Sequence, residues 1–260
     1  MKPRIKIEEI FKNYKNKIYG LALSITRNQT DAEDVVQSVF VKIIDNIKEL
    51  KNREYLSTWI YKIAYNEALM YLRKRSSRFK LIDGFKDGTK KELSGLFVNW
   101  SKMPDEQALD VEFRQRVDNA IKQLPIEYRM PLVLHYVERM PGEAAAAVLK
   151  LKEASFRTRL RRAEMMLAAE TKDYFKDKLE KNEEENPRCS IWEGFVYNYS
   201  RGSLGKTRKK AFDRHIKDCR PCKLFLSKYS KAIKVAKFLE CRDLPIELEV
   251  KIADFIRKKS

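Results

Sequence analysis

From Ile7 to Ile25 the apolar residues Ile7, Ile10, Phe11, Tyr14, Ile18, Leu21, Ala22 and Ile25 recur every three or four positions, the period of an amphipathic helix. A second helix is predicted after Arg27-Asn28-Gln29-Thr30. Thr30 serves as N-cap, Glu33 completes a capping box, and Val35, Val36, Val39, Phe40, Ile43 and Ile47 form the buried stripe. A third runs over about residues 57–75, with Trp59, Ile60, Ile63, Ala64, Ala68, Tyr71 and Leu72 inward and Lys62, Asn66, Arg73 and Lys74 outward. These three can pack as one bundle.

Between 76 and 104 the period fades, and Asp83-Gly84, Asp87-Gly88, Ser94-Gly95 and Met103-Pro104 mark a linker. Periodicity returns with Leu109, Phe113, Val117, Ala120, Ile121 and Leu124. A helix holding Leu132, Leu134 and Tyr136 follows, then a short one over 143–149 and a longer one from Glu153. The charged run from Glu180 to Pro187 contains no apolar residue and sets off a last unit that holds all four cysteines. The expected organisation is therefore all-α: a helical domain over 5–76, a linker over 77–104, a second helical domain over 105–178, an acidic linker over 179–187 and a cysteine-bearing unit over 188–260.

Composition sharpens this picture. Among 260 residues, 55 Lys and Arg face 37 Asp and Glu, a net charge of +18, which points to an anionic macromolecular partner. Only 8 Gly and 8 Pro argue against β-sandwich and low-complexity architectures. No apolar run approaches the roughly 18 residues that read as a membrane span. Met1 opens a charged stretch without a hydrophobic signal region, so a cytoplasmic chain with no membrane insertion is expected.

The short helix near Glu143, the break at Lys150-Leu151-Lys152 and the basic helix after it have the order of a helix-turn-helix. In the basic helix Phe156, Leu160, Ala163 and Leu167 share an inner face. Ser155, Arg157, Thr158, Arg159, Arg161 and Arg162 supply donors for phosphates and base edges in a major groove. A merely solvated basic helix is the plainer alternative. His135, between Leu134 and Tyr136, has no carboxylate or serine arranged about it and reads as a packed residue. With no GxxxxGK[ST], GxGxxG or HExxH motif, the chain is not expected to be an enzyme.

Three stretches together resemble the RNA polymerase sigma factors of the extracytoplasmic-function (ECF) type. Asp31-Ala32-Glu33-Asp34-Val35-Val36-Gln37-Ser38-Val39-Phe40 looks like the region 2 signature. Trp59 to Asn66 with Tyr71-Leu72-Arg73-Lys74-Arg75 resembles the promoter-melting helix, and Leu124-Pro125 through Tyr128-Arg129 to Arg162-Ala163 is similar to region 4. The resemblance covers about residues 5–170. It implies that Asp34, Gln37 and Phe40 dock on the coiled coil of the largest polymerase subunit, that region 4 meets the flap, and that Trp59, Lys62, Asn66, Arg73 and Lys74 act on promoter DNA. Captured single strands need aromatic faces beside positive charge, which Tyr55, Trp59, Tyr61 and Tyr65 among these cations would offer. Three departures stand out: Met70 replaces an Asp usual four residues after Asn66, Ala144-Ala145-Ala146 replaces Glu-Ile-Ala, and Lys150 replaces the turn glycine.

In the last unit His215, Cys219 and Cys222 are spaced so that a helix would bring the first two to one face and the third one turn on, suiting a tetrahedral zinc ion. Unpaired buried thiols are the plainer reading. The pattern resembles the zinc-binding anti-sigma fold over about residues 187–240. Its upstream ligand points to Cys189 as the fourth, with Cys241 as the alternative. The whole reads as a sigma factor regulated in cis by a zinc domain, with polymerase core, promoter DNA and a separate anti-sigma protein as candidate partners. Its rival is a stand-alone helix-turn-helix regulator with a metal- or redox-sensing domain.

Overall fold

A computed structural model describes residues 6–50, 52–81, 111–170, 189–237 and 243–259. The described residues are helical, with no strand among them: α1 (Ile7–Thr26), α2 (Gln29–Asn46), α3 (Leu56–Leu81), α4 (Val111–Gln123), α5 (Ile126–Leu132), α6 (Gly142–Val148), α7 (Glu153–Glu170), α8 (Cys189–Ser200), α9 (Lys206–Asp218), α10 (Arg220–Lys237) and α11 (Ile246–Lys259). Two 3-10 turns precede α3, and a π-helical turn over Val133–Val137 follows α5. These elements fall into two compact units that do not follow chain order. One gathers α1–α3, the π turn, α6, the first turn of α7 and α11; the other gathers α4, α5, the rest of α7 and α8–α10.

In the first unit α1, α2 and α3 pack mutually around Ile18, Leu21, Val36, Val39, Ile43, Ile60 and Ala64, all fully buried. Phe11 meets Phe40 edge-on, ring centroids 5.1 Å apart. The corner between α1 and α2 is tight because Arg27 turns left-handed at φ 54°. That places Asn28 extended, where its side chain accepts from the Asp31 N–H at 3.0 Å. The cap is thus Asn28, two residues before the Thr30–Glu33 box expected from the sequence; Thr30 already lies inside the helix.

The inward face of α3 also differs from expectation. Its fully buried residues include Ile60, Tyr61, Ala64 and Ala68, with Glu67 beside them, whereas Trp59 and Ile63 are half-buried. The buried stripe is rotated by about one residue, because Tyr61 turns inward to donate its hydroxyl proton to the buried Glu138 carboxylate. Glu67 is held by Lys42 of α2. Six residues into the expected linker region, α3 still runs to Leu81, since neither glycine nor proline interrupts 76–81. The remainder of that linker and the acidic linker over 179–187 lie outside the described residues.

Helix α6 packs against α3, and α11 lies on α1 and α2 through the stripe Leu248, Ile252, Ile256. Asn16 of α1 clamps the segment before α11, donating to Asp243 at 2.6 Å and accepting from the Leu244 N–H at 3.0 Å. Lys15 pairs with Glu249, and Lys259 reaches Asp45 at 3.6 Å.

In the second unit Arg129 is buried at the α4–α5 corner, donating to the carbonyls of Lys122 at 2.9 Å and Leu124 at 3.1 Å. This explains the Leu124-Pro125 to Tyr128-Arg129 run as a helix-end closure. A second core gathers Ala168 of α7 with Val196, Leu204, Phe212, Phe225 and Tyr229. Helix α10 also packs on α4.

The turn between α6 and α7 closes with the Leu151 N–H on the Ala146 carbonyl at 2.9 Å and leaves Lys150 at φ 56°. A non-glycine residue in this region costs on the order of 1–3 kcal/mol, against the ~0.5–1 kcal/mol that glycine loses in chain entropy. Lys150→Gly is therefore expected to raise stability by up to about 1 kcal/mol in a urea melt, whereas Lys150→Val should lower it.

Candidate nucleic-acid interface and cysteine–histidine cluster

On α3 the residues Trp59, Lys62, Asn66, Met70 and Arg73 stand three or four positions apart and so share one face of the helix. Asn66, Arg73 and Lys74 are exposed, while Trp59 and Lys62 are half-buried. Tyr61, counted among the base-capturing aromatics, is a core residue at 1% exposure and is unavailable; Tyr55 stands out at 63%.

Asp34 and Gln37 are exposed on α2. The Tyr71 hydroxyl links Asp34 to α3, donating to it at 2.9 Å and lying 3.2 Å from Asp31, which also pairs with Arg75. Desolvation and the two carboxylates push the Tyr71 phenol up to about 12. It therefore stays a donor throughout the ordinary pH range. Phe40 corrects the third docking residue: at 1% exposure it is core packing against Phe11, because its position on α2 is continuous with Val36 and Ile43. The acidic stripe was legible in the sequence, but its internal partners Tyr71 and Arg75 were read only as parts of the melting helix.

On α7, Ser155, Arg157, Thr158, Arg161 and Arg162 are exposed and Arg159 is half-buried, while Phe156, Leu160, Ala163 and Leu167 are buried. The guanidinium of Arg161 donates to the Gly194 carbonyl at 3.2 Å and sits 5.6 Å from the Tyr197 ring centre. Arg162 reaches the Tyr128 hydroxyl at 3.5 Å. Three residues on from Arg161, Glu164 is completely buried. It pairs with Arg201 at 2.7 Å and accepts from the Tyr229 hydroxyl at 2.5 Å. Burial first, and then the carboxylate, hold the Tyr229 phenol far above its usual range. Nothing in the sequence distinguished Glu164 from the solvated acids, since its partners lie 37 and 65 residues away.

His215 lies in the last turn of α9, Cys219 is extended at the helix break, and the buried Cys222 opens α10. The spacing suggested one continuous helix; the chain instead bends at Cys219, and the bend brings the three donors together. Their ligand atoms lie within 4.8 Å of one another. The imidazole stacks on Trp192 at 4.7 Å and 14°, and its buried Nε2 has no hydrogen-bond partner. One imidazole and two sulfurs, with an orphaned ring nitrogen, make a donor set able to hold a soft metal ion. Cys189 begins α8, but its side chain, like Cys241, lies outside the described residues. No helix among the described residues is long and apolar enough to cross a membrane.

Comparison with known proteins bears on the first two-thirds of the chain. Residues 10–78 match the model of sigma-70 region 2, and residues 114–167 that of sigma-70 region 4. The chain is 28% identical over 163 residues to the ECF RNA polymerase sigma factor SigM of Bacillus subtilis, covering 63% of this chain and 93% of that one. With SigW of the same organism it shares 27% over 161 residues, 62% and 86% of the two chains. The sigma factor RpoE of Bartonella quintana, solved in complex with the anti-sigma factor NepR, superposes with a TM-score of 0.52 at 21% identity over 64% of this chain and 96% of that one; this shows likeness of fold. Residues 10–78 and 114–167 therefore match sigma-70 regions 2 and 4, in a chain similar to ECF-type sigma factors.

Placing Phe40 in the core carries a measurable consequence. Phe40→Ala should cost about 3–5 kcal/mol of stability in denaturant unfolding, as a large-to-small core substitution does. A weakened polymerase affinity at unchanged stability would restore it to the docking surface.

Proposed function

We propose that this protein directs core RNA polymerase to promoters and opens DNA there, with residues 188–260 as a zinc-holding domain that regulates it in cis. What carries the reading is the pairing, within one chain, of the α3 stripe and the α7 donor face with an acidic α2. Trp59, Lys62, Asn66, Arg73 and Lys74 would engage the melted strand, since stacking and positive charge are what unpaired bases need. Ser155, Arg157, Thr158, Arg159, Arg161 and Arg162 would hold the upstream promoter element. Asp34 and Gln37 would meet the polymerase coiled coil, where Asp31 is already occupied by Arg75. A factor of this kind is non-enzymatic and works in the cytoplasm beside polymerase and DNA.

Zinc is the proposed metal, bound by His215, Cys219 and Cys222 with Cys189 as fourth ligand, because thiolate and imidazole donors in a small helical unit favour it. It would fix the α9–α10 corner. The sigma factor whose fold this chain resembles was solved with an anti-sigma partner, which leaves room for a separate anti-sigma protein here.

In transcription with purified core polymerase, the full chain should direct initiation at its own promoter. The Asn66→Ala, Arg73→Ala double variant should lose permanganate reactivity of the opened strand while still binding polymerase. Tight promoter binding that needs no polymerase would instead favour a stand-alone regulator. Metal analysis should find one zinc per chain, lost in Cys219→Ser and Cys222→Ser together with order at the α9–α10 corner that the ion would fix. Full metal content in both would refute the site.

A further inference from the structure

We infer that α8 and α10 form a clasp on the recognition helix α7, closed on Glu164, which competes with promoter DNA for Arg161; this rests on the sigma-factor reading above. Within the second unit three independent contacts converge on the same stretch of α7. The first is electrostatic. Glu164 has no exposure, and its carboxylate is met by Arg201, just beyond α8, and by Tyr229 of α10. A buried carboxylate stripped of such partners is strongly destabilising. This arrangement of α7 therefore presupposes the C-terminal helices, and the helices in turn use α7 as part of their interior.

The second contact is apolar. Ala168 belongs to the core made by Val196, Phe225 and Tyr229, and Met165 packs against it. The third involves a group with another use. Arg161 is the most C-terminal of the donors aimed away from the Phe156–Leu160–Ala163 stripe apart from its neighbour Arg162. Its guanidinium is bonded to the Gly194 carbonyl and lies over Tyr197, which Arg201 also overlies at 4.9 Å. An arginine engaged in this way has to leave Gly194 and Tyr197 before it can present its whole fork to a guanine edge. Arg157 and Thr158, one turn earlier, remain exposed. The clasp thus holds α7 at Arg161, Glu164 and Ala168, later along the helix than Arg157 and Thr158, so DNA can engage α7 first and then compete for Arg161.

The clasp is braced from the cysteine–histidine corner. Trp192 stacks on His215, and the same α8 helix carries Gly194 and Tyr197 to α7. The sign of the regulation follows: the closed clasp is inhibitory, and loosening α8 releases Arg161.

The test uses the full-length chain with core polymerase and a promoter fragment. Arg201→Ala combined with Tyr229→Phe removes the two clasp groups on Glu164 without touching a DNA donor. Transcription should rise by about five- to a hundredfold, the usual range of coupling between sites. In the wild-type chain, amide exchange over Trp192–Arg201 should accelerate when promoter DNA loads, a measurement that decides the matter even if the double variant unfolds. Equal or lower transcription from a variant of wild-type helicity, or exchange unchanged by DNA, overturns the clasp while leaving the sigma reading intact. Absence of polymerase-dependent transcription from wild type and variant alike overturns that reading, and the clasp's competition with DNA falls with it.

Discussion

A carboxylate with no access to water has to be answered by its own protein. Glu164 sits on the arginine-rich helix α7, and leaving its charge unpaired would cost several kcal/mol after every allowance for relaxation. Arg201 and Tyr229 supply the answer from the C-terminal helices, and the surrounding apolar core follows from bringing them there. From Arg157 onward, α7 belongs with α8–α10 to one compact unit, although the chain that joins them includes a charged run without an apolar residue.

The first unit shows the complementary use of charge. Asp31 and Asp34 on α2 are answered from α3 by Arg75 and Tyr71, so the acidic helix is oriented by the same helix that carries the melting stripe. Lys42 and Glu67 tie the two helices again one turn before Tyr71, on the same side of α3. The exposed acidic face of α2 and the outward stripe of α3 are thereby tied to each other by three polar links.

Local periodicity made most of the helices readable, and it did so best where one face is fully buried, as in Val36, Val39 and Ile43 of α2. It failed where a polar group outvoted it. Tyr61 turned inward because a carboxylate 77 residues away needed a donor, and that rotated the α3 stripe away from Trp59. The cap moved from Thr30 to Asn28 because the left-handed Arg27 shortened the corner. The cluster of His215, Cys219 and Cys222 was visible as spacing, yet the bend that assembles it was not, since helix geometry alone would have kept the chain straight through Cys219. Glu164 was beyond sequence reasoning altogether: burial of an acid depends on partners that no local window contains.

The seating of α11 on α1 has a consequence for the order of events in folding. Asn16 and Asp243 are 227 positions apart, and closing so long a loop is slow and entropically opposed. The bundle of α1, α2 and α3, by contrast, is built from neighbours in the chain and can form as soon as they have left the ribosome. During synthesis α1 and α2 are therefore formed before α11 exists to lie against them. A nascent chain meets its surroundings in an open form, and the C-terminal helices arrive afterwards as a late closure.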